Sequence, residues 1–272
     1  MTAMHRKRCL DLPCLRFCLA LLMLSHTTMA NAALDDAACA RLQAPGVINA
    51  RAPVDCDRLA IVRIPYIDFS GVRHDDGELM VLAAVAPEVS QLFHQLYQRG
   101  FPLAKVRLIE HYRGDDAASM RDNNTSAFNN RQITGGGPPS LHAYGLAIDI
   151  NPLQNPFVQP DGQGRIRVSP PEATAYLNRL STRPDKPVRP GMAEAVVDLF
   201  AHYGFTAWGG YWDKPIDYQH FQFSRGMAQK LAAASTSDAR RIYLQELETY
   251  RVCLKNGANL ATGRAGTTCA LQ

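Results

Sequence analysis

The chain has 272 residues, of which 46% are hydrophobic and 20% are charged, values that are ordinary for a soluble globular protein. Its formal net charge is +4, but residues 1–32 hold four basic side chains and a single acidic one, so the remainder carries only +1. This near-neutral remainder gives no reason to expect nucleic acid as a partner.

Residues 1–32 have the layout of a secretory signal peptide. A basic head at 5–8 is followed by an apolar core at 17–24 and by the small residues Ala30-Asn31-Ala32. The apolar core is too short for a permanent membrane anchor, and no second apolar run of that kind occurs. We therefore predict an exported protein, periplasmic or secreted, without a stable membrane anchor. An uncleaved N-terminal anchor is the alternative.

Four of the seven cysteines lie outside the predicted signal peptide, namely Cys39, Cys56, Cys253 and Cys269. An even number of cysteines in an exported chain predicts two disulfides. Three pairings are possible, and Cys39–Cys56 with Cys253–Cys269 is the local one. None of the four lies beside a His or in a CxxC pair, so a cysteine metal site is not expected.

The pattern of apolar residues and turn formers predicts mixed helices and strands. The N-terminal half contains an irregular lead-in at 33–60, a strand at 60–69, a helix at 79–97, a strand at 104–112 and a long polar loop at 114–139. The C-terminal half contains a strand at 147–150, a loop at 151–190 with a small helix at 171–180, a helix at 192–203, a turn and strand at 208–223, and a helix at 227–254 before an exposed tail.

These elements follow no regular βαβ rhythm, which predicts an α+β fold. We divide the chain into a signal peptide at 1–32, a lead-in at 33–78, a central domain at 79–225 that carries the motifs described next, and a C-terminal helix and tail at 226–272.

Asp149 is a carboxylate inside an otherwise apolar strand, Ala147-Ile148-Asp149-Ile150. Burial of an unpaired charge is costly, so Asp149 must face water or a positive partner. Side chains alternate along a strand, which places Asp149 on the same face as the small Ala147. His142 precedes Gly145, where the backbone can bend back and bring the imidazole over that face.

A second fragment, Asp217-Tyr-Gln-His220-Phe-Gln222, ends as an alternating strand. His220 and Gln222 share one face of that strand, and Asp217 lies in the preceding turn. Two His and one Asp can hold a catalytic zinc ion and leave a position for water, and a further carboxylate can then act as the base. We predict His142, Asp149 and His220 as the zinc ligands and Asp217 as the base. The chain has no HExxH motif, which excludes the common helical zinc-protease layout.

The motif Ser140-Leu-His142-Ala-Tyr-Gly145-Leu-Ala-Ile-Asp149 is followed by the motif Asp217-Tyr-Gln-His220-Phe221, and a Trp208-Gly209 pair precedes the second motif. This arrangement resembles the zinc metallopeptidases that cleave peptidoglycan stem peptides. They include D-alanyl-D-alanine carboxypeptidases, D-Ala-D-Ala dipeptidases and L-alanyl-D-glutamate endopeptidases, some of them phage endolysins. The resemblance covers about 79–223. Many relatives have Glu at the position of Asp217. The Asp in this chain resembles the branch closest to the phage-type endopeptidases.

The resemblance implies a small antiparallel sheet that carries one zinc ion and is flanked by helices, with peptidoglycan stem peptides as substrate. It also implies an active-site arginine in the polar loop, for which we choose Arg131 over Arg113. Trp208 is expected in the core, whereas Tyr211 and Trp212 either shape the peptide site or pack in the turn. Ser140 and Tyr144 are expected to orient the metal loop.

Two other interpretations remain open at this point. One is a zinc-binding recognition module of the same fold without turnover. The other is a structural envelope protein in which the His and Asp side chains are only buried polar groups.

Overall fold

Six α-helices and ten strands make up the part of the chain that the computed structural model describes, residues 34–43, 47–255 and 269. The helices are α1 (Asp36–Gln43), α2 (Ala86–Gln98), α3 (Asp116–Arg121), α4 (Val197–His202), α5 (Arg225–Ala233) and α6 (Thr236–Lys255). The strands are β1 (Leu59–Ile67), β2 (Arg73–Leu82), β3 (Lys105–Val106), β4 (Asn124–Thr125), β5 (Ala147–Asp149), β6 (Phe157–Pro160), β7 (Ile166–Ser169), β8 (Ala207–Trp208), β9 (Ile216–Asp217) and β10 (His220–Gln222). Helices with small, mainly antiparallel sheets confirm the predicted α+β class.

The longest strands, β1 and β2, form an antiparallel hairpin that runs from the pair Leu59–Leu82 to the pair Ile67–Arg73. This confirms the strand predicted at 60–69. The helix predicted from residue 79 is wrong in its first turns, because 79–82 continue β2 and α2 begins at Ala86, with Pro87 in its first turn. Residues 79–82 are all apolar and buried, and a short buried strand cannot be told from a helix by periodicity.

The central sheet has the order β5-β10-β8, with β10 antiparallel to both neighbours. Phe221 pairs with Ile148 on one side and with Trp208 on the other, and all three side chains are buried in the core. Since neighbouring residues of a strand point to opposite faces, His220 and Asp149 lie on the other face. The core therefore fixes the register that brings those two residues together.

A further sheet has the order β7-β6-β9, and its strands β6 and β7 lie in the region predicted as a loop at 151–190. Its strands are two to four residues long, and β7 is exposed or half-exposed along its length. The hairpin turn at 161–165 contains Gly162 and Gly164. Because glycines are typical of loops, the sequence pattern predicted a loop for the two strands beside this turn as well. Phe157 of β6 pairs with Asp217 of β9, so this sheet positions Asp217.

The structure corrects several other predicted elements. Helix α1 lies in the predicted lead-in, α3 and β4 lie in the predicted loop at 114–139, and the strand at 104–112 is reduced to β3 followed by a 3-10 turn at Ile109–Tyr112. The helix at 192–203 begins as a 3-10 turn at Ala193–Ala195, and Pro171–Leu177 forms a 3-10 helix. The single helix predicted at 227–254 is two helices, because Ala234 is extended and Ser235 caps α6 by accepting from Asp238 N at 3.1 Å.

Both disulfides of the local pairing are present: Cys39–Cys56 ties α1 to the turn before β1, and Cys253–Cys269 ties the last turn of α6 to residue 269. The signal peptide predicted at 1–32 and the tail beyond 255, apart from Cys269, lie outside the described residues. Within the described ranges, no helix combines the length and apolarity needed to cross a membrane. The domain boundaries remain a prediction, and β2 runs across the one placed at 78.

Candidate metal centre

His142 lies in a 3-10 turn, Leu141–Tyr144, between the central sheet and the β1–β2 hairpin. Ser140 caps the turn by accepting from His142 N at 3.3 Å, and Gly145 ends it with φ of +65°. A side chain at Gly145 would meet Leu82 N at 2.5 Å, and Leu82 N itself donates to Gly145 O at 3.0 Å. Only glycine fits both this φ and this close approach, so the turn is held firmly against β2.

The ring of His142 is oriented by a backbone carbonyl. Its Nδ1 lies 2.5 Å from the oxygen of Ala127, which can only accept, so the ring proton is on Nδ1. Ala127 is held there because Ser126 exchanges two backbone hydrogen bonds with Asp149 at the edge of β5. The unprotonated Nε2 of His142 consequently points at the Asp149 carboxylate, 3.2 Å from Oδ2.

His220 approaches the same carboxylate from the neighbouring strand. Its Nδ1 lies 2.9 Å from Asp149 Oδ1 and 3.1 Å from His142 Nε2. Its Nε2 lies 2.8 Å from Gln222 Oε1. Both of these neighbours accept, so the ring proton of His220 lies either on Nε2, toward Gln222, or on Nδ1, toward Asp149.

Three side chains that can act as metal ligands converge on one point, and the ligand atoms of His142, Asp149 and His220 lie within 4.8 Å of one another. The three residues are only 2%, 4% and 6% exposed. Lone pairs this close in a buried place repel one another unless a cation lies between them. Without a metal, burial raises the pKa of Asp149, and protonated imidazoles of His142 and His220 lower it well below its usual range; a bound cation would act on the carboxylate in the same direction. The group could therefore hold a metal ion.

Asp217 lies beside this group. Its Oδ1 is buried and has no hydrogen-bond partner. Burial, and then the charge of Asp149, raise the pKa of Asp217 to about 7. Gly209 allows the close packing, because a side chain there would meet the Asp217 backbone oxygen at 2.4 Å. A carboxyl group with these properties can exchange a proton near neutral pH.

The structure distinguishes the two arginine candidates by position. Arg131 Nη2 lies 3.1 Å from Asp116 Oδ2 of α3, and its positive charge acts on Asp217 and lowers the pKa of that carboxyl. Arg113 is exposed and ends the turn Ile109–Tyr112 in a left-handed conformation with φ of +54°. Of the two, Arg131 is the one whose charge acts on Asp217.

The aromatic residues before β9 have different surroundings. Trp208 is buried, as predicted, stacks on Phe221 and donates from Nε1 to Tyr218 O at 2.8 Å. Tyr211 is 42% exposed and packs edge-on against Trp208. The half-exposed Trp212 lies with its ring 5.4 Å from that of His220, so it forms a wall next to the metal-ligating candidates.

Sequence reasoning missed three groups that contact the candidate site residues: the Ala127 carbonyl, Gln222 and Asp116. The alternation of His220 and Gln222 in the strand was visible, and it could have suggested a contact between them. The other two come from the polar loop and from α3, and no local pattern points from either segment to His142 or Arg131.

Residues 134–223 match the family model of D-alanyl-D-alanine carboxypeptidases. The match spans 90 of the 272 residues and includes both motifs, and it confirms the resemblance over that segment. It supports a peptidase. No curated protein and no solved structure matches the chain.

Proposed function

We propose that the protein is a zinc-dependent peptidase that hydrolyses peptidoglycan stem peptides, as a carboxypeptidase or an endopeptidase. The observation that carries this proposal is the convergence of His142, Asp149 and His220 on one buried point. All three residues lie inside the segment that matches the peptidase family.

The donor set fits zinc. Two imidazole nitrogens and one carboxylate are a usual set of protein ligands for catalytic zinc, and harder ions such as magnesium prefer oxygen ligands. His142 Nε2, the Asp149 carboxylate and His220 Nδ1 would hold the ion. When bound, zinc would supply Lewis acidity and lower the pKa of water.

Asp217 would act as the general base and then as the general acid. Its buried Oδ1 has no hydrogen-bond partner and can accept a proton from water. The pKa of about 7 allows the same group to hold that proton and deliver it to the leaving amine. A nearby cation would favour the ionised form and lower this pKa, which keeps the base active at neutral pH.

Arg131 would stabilise negative charge on the reacting carbonyl oxygen, or bind a substrate carboxylate through its two parallel N–H groups. The ion pair with Asp116 holds its guanidinium in place. Trp212, beside His220, would line the peptide site.

The compartment follows from the same proposal. Disulfides persist in oxidising environments, and both disulfides in this protein agree with export. With the predicted signal peptide at 1–32, we place the enzyme in the periplasm or outside the cell, where its cell-wall substrate lies.

The test is digestion of purified muropeptides by the zinc-loaded protein, with the products identified by mass spectrometry. Release of one terminal residue would indicate a carboxypeptidase, and division of a stem peptide would indicate an endopeptidase. Asp217→Asn should abolish the product while the zinc content stays at one per chain. Asp213→Asn, the same change at an exposed neighbour, should retain activity.

The alternative function is a recognition module that binds zinc and cell-wall peptides without turnover. The same experiment distinguishes it: zinc and muropeptides would bind to the unmodified protein, no product would form, and Asp217→Asn would change nothing. Absence of stoichiometric zinc would instead favour a structural envelope protein.

A further inference from the structure

Gln222 is placed so that its side chain runs along β10 to the ring of His220. The two residues are two positions apart and share one face of the strand. The cross-strand partners of Gln222 are Ala147 of β5 and Ala207 of β8. Both are small, so space remains on either side for the amide to reach His220 Nε2 at 2.8 Å.

We propose that Gln222 is a positioning residue that selects the tautomer of His220 and so makes Nδ1 its ligand atom. A neutral imidazole has one ring proton, and two acceptors compete for it: Gln222 Oε1 at Nε2 and Asp149 Oδ1 at Nδ1, 2.9 Å away. A proton on Nδ1 would be donated to Asp149 and would block ligation. A proton on Nε2, held by Gln222, leaves Nδ1 open to the metal.

The two histidines differ in this respect. His142 is oriented by the backbone oxygen of Ala127, which no side-chain substitution removes. His220 depends on a side chain. The neutral amide of Gln222 also fixes the proton without adding negative charge beside the two carboxylates, Asp149 and Asp217.

The experiment compares Gln222→Met, Gln222→Glu and Gln159→Met. Met has nearly the shape of Gln but no oxygen acceptor, Glu keeps the acceptor, and Gln159→Met makes the same change on β6. The first measurement is the tautomer of His220 in the metal-free protein, from nitrogen-15 NMR with assignment by a His220→Asn variant. The second is the dissociation constant for zinc, by competition with a chelator.

We expect the Nε2–H form of His220 in the unmodified protein and in Gln222→Glu, and the Nδ1–H form or a mixture in Gln222→Met. The zinc dissociation constant should rise about 10–100-fold in Gln222→Met, the usual effect of losing a partner of a ligating His. The zinc dissociation constant should change less than about threefold in Gln159→Met, and it should not rise in Gln222→Glu.

An Nδ1–H form in the unmodified protein would overturn the inference, and so would an unchanged zinc dissociation constant in Gln222→Met. The inference takes its metal from the proposed function, but the two fail differently. If the unmodified protein binds no zinc, the proposed function fails, whereas the His220 tautomers of the unmodified protein and of Gln222→Met still decide whether Gln222 controls His220. An Nδ1–H form in the unmodified protein overturns the inference even if Gln222→Met does not fold.

Discussion

His220 and Asp149 are directly paired across the antiparallel strands β10 and β5, and His220 Nδ1 lies 2.9 Å from Asp149 Oδ1. A strand pair fixes the distance between opposed side chains, so the core residues that set the register also set the metal site. Local unfolding of a loop would not open this part of the site. The third ligand candidate, His142, depends on a glycine-ended turn instead.

Asp149→Ala should remove zinc binding without unfolding the chain. An alanine is already accommodated on this face of β5 at position 147, so a second alanine at 149 should not disturb the strand. The substitution does remove the one anionic side chain of the proposed ligand set. We expect the zinc dissociation constant to rise by more than about 100-fold, since even partners of ligands cost 10–100-fold. Chelator competition measures this, with Asp161→Ala in the exposed β6–β7 turn as control. Tight zinc binding by Asp149→Ala would contradict the assigned ligand set.

Removal of the metal should lower the melting temperature of the protein. A ligand that binds only the folded state stabilises it by about 2.7 kcal/mol at a free concentration of 100 times Kd. Thermal unfolding with zinc and after treatment with a chelator measures the difference. His142→Ala should show the same melting temperature under both conditions. A zinc-independent melting temperature in the unmodified protein would count against a metal centre.

Asp217 should make the metal-free protein less stable as the pH rises. The unfolded Asp loses its proton near pH 4, whereas folded Asp217 keeps it until about pH 7. Between these values the folded state binds more protons, so the free energy of unfolding falls with increasing pH. Asp217→Asn cannot ionise and should raise that free energy at pH 8 by on the order of 4 kcal/mol, with little change at pH 4. Urea denaturation at both pH values, with Asp213→Asn as control, tests the sign.

The sequence was sufficient to predict the α+β class, the two central strands and the presence of two disulfides, and of the three possible pairings the structure has the local one. Those features depend on local patterns: the apolar alternation around His220 and Asp149, and cysteines that remain in neighbouring pairs. The geometry then brought together the same four candidate residues at the proposed metal site. Their chemical roles stay a prediction.

Other elements and contacts could not be predicted from the sequence, because tertiary contacts determine them. Strand β2 consists partly of buried apolar residues that fit a helix equally well. Strands β6 and β7 are short, and partners elsewhere in the chain or the hairpin turn hold them in place. Asp116 belongs to a helix of six residues in a polar segment, and only the folded structure shows that it contacts Arg131.

Glu88 and Arg240 join α2 to α6 and should matter for stability. Arg240 Nη2 donates to Glu88 Oε1 at 2.7 Å, Nη1 bonds the other carboxylate oxygen, and Nη1 also donates to Ala84 O at 2.9 Å. Glu88 is buried while Arg240 is partly exposed, so Glu88→Gln should cost about 1–3 kcal/mol rather than the full penalty for a buried pair.

Lys230–Glu246 offers a matched control for that pair, since it joins α5 to α6 at the surface. Glu246→Gln should change the free energy of unfolding by less than about 1 kcal/mol. Urea denaturation of both variants gives the comparison. An equal loss of unfolding free energy in the two variants would show that the α2–α6 ion pair stabilises the fold no more than the surface pair does.

Arg131 should affect turnover more than folding, because its charge acts on Asp217. Arg131→Ala should lower kcat/KM on a cleaved muropeptide by about 10²–10³-fold, the usual cost of a lost donor to the developing oxyanion. Arg131→Lys should restore part of this, since it keeps the charge but loses the paired N–H groups. Asp116→Asn removes the partner that orients the guanidinium and should have a smaller effect.

Arg113→Ala, at the exposed alternative, should leave kcat/KM unchanged. The reverse order of Arg131 and Arg113 would transfer the role to Arg113, and zinc content measured in every variant would separate this effect from loss of the metal.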